Sequence, residues 1–287
     1  MRRNSPMNTQ ATSTMQERAG SKRTADREGP RASGPSGREA PAPGWTPSQF
    51  RPRDWGEGRA LRHEVSNTAA SAANRARNVR EYTLGEEVAN SVTHGIGALL
   101  AIAAIPILVV RAVEDGGGVY LFAALVYTLT MLLEYTMSTL YHAISAERAK
   151  RVFKVLDHSC IYLFIAGSYT PFCLITLADS GGLWLCAFVW VVAVAGVACE
   201  AFWVFRPRWV SAVLYLLMGW CVVWFLPALV AAIPSAGLWL LLIGGICYSV
   251  GCVFYVLKKV PYMHSVFHVW VLAGSVLQFL AIALYVM

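Results

Sequence analysis

His264 and His268 lie four residues apart in Pro261-Tyr262-Met263-His264-Ser265-Val266-Phe267-His268. On a helix that spacing puts both imidazoles on one face. A helix buried in lipid carries two such groups only where they find partners, because an unpartnered polar side chain out of water costs free energy. A divalent metal ion is a partner that uses both. The plainer alternative is a pair of interfacial histidines bonded to headgroups or backbone. What else reaches the same depth of the membrane decides between them, so the spans must be placed first.

The chain has 287 residues and is 56% hydrophobic. Its mean hydropathy of +0.48 is too high for a soluble domain of this size. The formal charge of +7 is unevenly spread. Residues 1–80 hold 15 Lys+Arg and 7 Asp+Glu, whereas residues 81–287 hold 9 and 10. The first 80 residues are rich in Arg, Ser, Ala, Gly and Pro, and they have too few large apolar side chains to offset the entropy of folding. The expectation is a disordered basic tail over 1–80, with no apolar stretch of the kind a cleaved secretory signal needs. Such a tail can touch anionic headgroups or nucleic acid. The reading adopted is a solvated arm that helps fix topology, with no nucleic-acid partner. The seven cysteines are scattered singly through apolar runs, which predicts buried thiols and no disulfide framework.

A helix needs roughly 20 apolar residues to cross the hydrocarbon core. Seven stretches qualify, at about 90–110, 119–141, 156–177, 183–204, 209–231, 237–257 and 265–286. The alternation of a membrane barrel is absent, so helices must satisfy the backbone. Basic residues fall in alternate connections. Arg75, Arg77 and Arg80 precede the first span, and Arg148, Lys150, Arg151 and Lys154 follow the second. Arg206 and Arg208 follow the fourth, and Lys258 and Lys259 follow the sixth. The opposite connections have only Arg111. The predicted fold is an all-α, seven-span bundle over 81–287 in a cell membrane, N-terminus inside and C-terminus outside.

On that topology five of the six histidines fall at one end of the bundle. His94 opens the first span, His142 ends the second, His158 starts the third, and His264 and His268 start the seventh. Three neutral imidazoles and an open position make a catalytic zinc site, and His142, His264 and His268 can supply them. Zinc lowers the pKa of its water and polarises a carbonyl. Asp157 is then the candidate general base, and Ser138, one turn from His142, the candidate donor to a developing oxyanion. Glu134 shares a face with Ser138 and His142, roughly 12 Å deeper than His142 along the axis. Glu200 is a second carboxyl within a span. Pairing between helices is the first reading for both, and lining a polar path is the second.

Plainer roles exist for each residue. Asp157 immediately precedes a long apolar run, where Asp serves as an N-cap. Ser138 is a small residue suited to a helix contact. His158 points about 100° away from Asp157 around a helix and is not expected to be a ligand. Pro106, Pro171 and Pro227 lie within spans and are expected to kink them.

Three segments together resemble the haemolysin III family. The first is Glu86-Glu87-Val88-Ala89-Asn90-Ser91-Val92-Thr93-His94-Gly95. The second is Ser138-x-x-x-His142 followed by Asp157-His158-Ser159-Cys160-Ile161, and the third is His264-x-x-x-His268. The family is similar to the adiponectin and progestin receptors, in a wider group that includes alkaline ceramidases. The resemblance implies zinc on His142, His264 and His268, with Asp157 beside its water and Ser138 behind. It also implies roles for Glu87, Asn90 and His94 without defining them.

Three functions follow as expectations. The first is metal-dependent hydrolysis of a membrane lipid amide or ester. The second is a membrane-permeabilising channel, as the family name implies. The third is a sensor in which zinc is structural.

Overall fold

The structure is a computed structural model and describes residues 64–68, 82–203, 207–257 and 260–287. The remainder of the tail, Arg206, Lys258 and Lys259 lie outside the described residues. The helices are α1 (Leu84–Asp115), α2 (Gly118–Ala143), α3 (Glu147–Pro171), α4 (Gly182–Trp203), α5 (Arg208–Gly219), α6 (Leu226–Ala232), α7 (Ser235–Val256) and α8 (Met263–Tyr285). Helices α5 and α6 with the turn between them make one crossing, so seven spans are long and apolar enough to cross a membrane. No strand occurs among the described residues.

The starts of α1 and α8 are tied to one another. Thr83 caps α1, with its side chain accepting from the Glu86 N–H and the Glu86 carboxylate accepting from the Thr83 N–H. Glu86 also accepts from the N–H of Tyr262 at 2.9 Å. Tyr262 has φ +61°, in the left-handed region, and is the residue before α8. One acidic side chain therefore fixes the starts of both α1 and α8, at the end that carries the histidines.

The third span is the hub. Two-thirds of its central window is buried, against 17% for the fifth span. Helix α3 packs on α2, α4 and α5, and α8 closes the bundle against α1 and α7. Glycines permit close approach where it matters for the site. A side chain at Gly97 would collide with the ring of Tyr135, which packs flat on α1 beside His94. Exposed tryptophans mark both ends, Trp184 and Trp239 at one and Trp203 and Trp209 at the other, as expected of headgroup belts. Arg111, the one basic residue in the connections opposite the histidine end, donates to the carbonyls of Ala283 and Met287 at the end of α8. It thus has a local structural partner, the negative end of a helix.

The structure corrects one expectation. Helix α3 begins at Glu147, about three turns before Asp157. Asp157 is therefore inside a helix and is no N-cap. The segment from Glu147 to Leu156 is charged on one side, which made it read as a loop. Of the three prolines, Pro171 ends α3, which passes into a π-helical turn over Phe172–Thr176. Pro227 opens α6 after a 3₁₀ stretch over Cys221–Phe225. Pro106 lies within α1.

The break in the fifth span frees backbone groups, and Tyr169 of α3 satisfies them. Its hydroxyl donates to the carbonyls of Met218 at 3.0 Å and Gly219 at 2.7 Å, and accepts from the Val222 N–H at 3.0 Å. Tyr169→Phe leaves those groups without that partner. The expected loss is about 1–3 kcal/mol of stability, measured as a lower unfolding temperature in detergent, with a wild-type melting curve as the outcome that contradicts it.

Candidate metal centre

His142, His264 and His268 converge at the shared end of α2 and α8. Each offers a ring nitrogen, these nitrogens all lie within 4.8 Å of one another, and all three residues are buried. The Nε2 atoms of His264 and His268 are 3.2 Å apart. Two ligands of a tetrahedral ion at about 2.0–2.1 Å would be separated by about that distance. The chemistry of the set therefore fits zinc. Without an ion, the same pair is a single hydrogen bond whose direction the tautomers decide.

Two of the three outer ring nitrogens are held from outside, as is usual for metal-binding imidazoles; His264 Nδ1 has no hydrogen-bond partner among the described residues. His142 Nδ1 lies 2.7 Å from Glu87 Oε2. A carboxylate only accepts, so the proton sits on Nδ1 and the lone pair on Nε2 points inward. His268 Nδ1 lies 3.2 Å from the Asn90 carbonyl and 3.2 Å from Thr93 Oγ1, which selects the same tautomer. Asn90 is held by Ser265, whose hydroxyl donates to Asn90 Oδ1 at 2.6 Å. The first signature thus supplies the second ring of contacts: Glu87 for His142, Asn90 and Thr93 for His268. Tyr82 lies over the group, stacked on His264 at a centroid distance of 4.9 Å.

A contributor that sequence reasoning missed is Lys150. It is 4% exposed and lies inside the bundle, where Nζ pairs with Glu87 Oε1 at 2.8 Å and donates to the Tyr141 carbonyl at 2.9 Å. Lys150 was counted with the loop charges that set topology. Lys150→Met strands a buried carboxylate, and breaking one side of a buried pair costs about 3–5 kcal/mol. The expected result is a marked loss of thermal stability, which Lys150→Arg partly restores. An unchanged melting curve for Lys150→Met would show the pair to be idle.

Asp157 and Ser138 are both buried, on the facing helices α3 and α2. The Asp157 carboxyl lies beside the Ser138 hydroxyl, although that hydroxyl makes no hydrogen bond of normal geometry. Asp157 is outside the three-histidine group. His158 is outside the three-histidine group as expected, but it does not turn away from Asp157: its Nε2 lies 4.0 Å from Asp157 Oδ2 and its Nδ1 3.6 Å from Glu200 Oε2. Tyr215 donates to Glu200 Oε1 at 3.4 Å. Glu200 is thus paired across α3, α4 and α5. His94 stacks on His268 at 3.5 Å between centroids. His94 and Glu134 line a cavity of about 390 Å³ that runs among α3, α5, α7 and α8 between apolar walls. All seven cysteines are free thiols, five of them buried.

Seven apolar helices with a buried group of three histidines at one end define a polytopic membrane protein with a candidate metal centre. A sequence profile described as Haemolysin-III related matches residues 82–279, and the chain belongs to that family. It is 42% identical to Hemolysin-3 of Bacillus cereus over 202 residues, which is 70% of this chain and 92% of that protein. It is 40% identical to the Hemolysin-3 homolog of Bacillus subtilis (strain 168) over 204 residues, 71% of this chain and 96% of the other. It is also similar to the human monocyte to macrophage differentiation factor, at 28% identity over 172 residues, 55% of this chain and 68% of that one.

Proposed function

We propose that this chain is a metal-dependent hydrolase of a membrane lipid amide or ester. The observation that carries the reading is a group of three buried imidazoles linked, through the ring of His94 stacked on His268, to an apolar cavity of about 390 Å³. An acyl chain in that cavity brings its polar end toward His94, which is stacked on His268. Zinc bound by His142, His264 and His268 would supply a Lewis acid that polarises a carbonyl and makes water a nucleophile near neutral pH. The protein's own groups do the rest. Glu87 and Asn90 hold two imidazoles in the tautomer that presents Nε2. Asp157 takes a proton from the attacking water and returns it to the leaving group. Ser138 donates to the carbonyl oxygen as charge builds there. The acyl C–N or C–O bond breaks, the acyl carbon gains a hydroxyl, and the amine or alcohol gains the proton.

The orientation proposed for this chemistry puts the histidine end at the cytoplasmic leaflet. It rests on exposed Arg148 and Arg151 at that end, with Lys150 excluded because it turns inward. Purified protein is expected to hold about one zinc per chain and to hydrolyse an N-acyl lipid, with loss of turnover on chelation and return on adding zinc. Turnover that ignores chelation, or protein that takes up no metal, would defeat this reading.

Membrane permeabilisation is a second reading, favoured by the names of the bacterial relatives and by Glu134 in the cavity wall. It predicts bilayer conductance that survives chelation and falls in Glu134→Gln.

A further inference from the structure

His94 and Glu134 take no part in the hydrolytic steps above, yet both are costly where they stand. His94 is 2% exposed, and among the described residues neither of its ring nitrogens has a hydrogen-bond partner. Glu134 is 3% exposed, and its Oε2 has none either. Buried polar atoms are nearly always satisfied, and the exceptions call for an explanation. Both of these open on the same cavity, whose other walls are mostly Leu, Ile, Val and aromatic side chains. Packing holds His94 in place: its ring is sandwiched by His268 at 3.5 Å and met edge-on by Tyr135 at 5.0 Å. Tyr135 is itself tied to α8, since its hydroxyl donates to Ser275 at 2.7 Å. The imidazole is therefore a rigid polar group at the metal end of an apolar cavity.

We infer that His94 and Glu134 form the recognition pair for a secondary amide, and that they select a lipid amide over the matching ester. This rests on the acyl-lipid reading above and narrows its substrate class. A neutral imidazole has one N–H donor. An amide and an ester both offer a carbonyl oxygen to accept from it. Only the amide has an N–H, and Glu134 supplies the acceptor for it. An ester in the same pose leaves the Glu134 oxygen unsatisfied and forgoes one hydrogen bond. His94 stays a hydrogen-bond donor throughout and gives up no proton. Its contact with His268 puts the bound carbonyl next to the histidine group, where the acyl bond must lie to be cleaved.

The two residues make separable predictions on metal-free full-length protein in detergent. The probes are N-ethylpalmitamide and ethyl palmitate, competing against a fluorescent fatty acid. Wild type binds the amide about threefold to tenfold more tightly than the ester, the span one hydrogen bond supports. His94→Phe weakens both ligands by a similar factor, because both lose the donor to the carbonyl. His94→Gln, which keeps an N–H donor, recovers part of the loss. Glu134→Leu weakens the amide alone and erases the preference. A second readout is the carbonyl stretch of isotope-labelled amide, which drops on binding to wild type and to Glu134→Leu but not to His94→Phe. Zinc uptake by each variant at wild-type affinity shows that the bundle has kept its shape. Binding of both probes unchanged in His94→Phe, or a preference that persists in Glu134→Leu, overturns the inference. Failure of wild type to bind either probe would instead remove the acyl-lipid reading on which it stands.

Discussion

Replacing His264 and His268 together by alanine should empty the metal centre, taking zinc from about one ion per chain to about a tenth of that or less. The double change removes two of the three converging nitrogens and leaves His142 alone. One imidazole, even with Glu87 behind it, does not hold a divalent ion against water. The fold should survive, because α8 is fixed by contacts that the histidines do not make. Tyr262 is bonded to Glu86 at its start, Ser275 accepts from Tyr135 at its middle, and Arg111 binds its last carbonyls. The single changes should differ. His268 also carries the stacked ring of His94 and bonds to Asn90, so His268→Ala should lower thermal stability more than His264→Ala. Metal analysis and melting curves on all three variants check this. Full zinc in the double variant would show that these histidines are structural.

The spans were legible because length and hydropathy are local properties, and each break between them carries its own turn residues. The histidines were legible for a different reason. Spacing put His264 and His268 on one face, and alternate basic connections put His142 at the same depth. Contacts made by neighbours from distant parts of the chain were not legible. A lysine near a helix end looks the same whether it reaches for headgroups or turns inward, so Lys150 was indistinguishable from Arg148 and Arg151. Its partner Glu87 stood in a recognisable signature but had no assigned task, because that task is defined by His142 and Lys150 on two other helices.

Asp157 shows the same limit from the other side. The residue was identified, but its local setting was misread, since ten charged and mixed residues ahead of it concealed the start of α3. The break in the fifth span was legible only in part: Pro227 marked a kink where α6 begins but not where α5 ends. No proline stands at Gly219-Trp220-Cys221, and the turn there is held by a hydroxyl from α3. A helix boundary that depends on a tertiary contact leaves no local trace. Polar groups that gather at one membrane face do leave one, because lipid tolerates so few of them.

The correction at Asp157 strengthens the functional reading of that residue, since capping no longer accounts for it. A carboxyl group inside α3, buried and turned toward Ser138, has no backbone duty. Asp157→Asn keeps the side chain's size and polarity and removes its charge and its ability to take up a proton. If Asp157 is the general base, the variant keeps about one zinc per chain and loses turnover of an N-acyl lipid by about 10²–10⁴-fold. Zinc is retained because Asp157 lies outside the group of three nitrogens. A structural role gives the opposite pattern. The neighbours of Asp157 include Lys154, His158 and Glu200, so loss of a charge needed for packing would lower the melting temperature first, with activity falling in proportion to folded protein. Turnover per folded, zinc-loaded molecule separates the two. A value near wild type takes the proton transfer away from Asp157, whereas a loss of zinc alongside turnover makes it part of the metal centre.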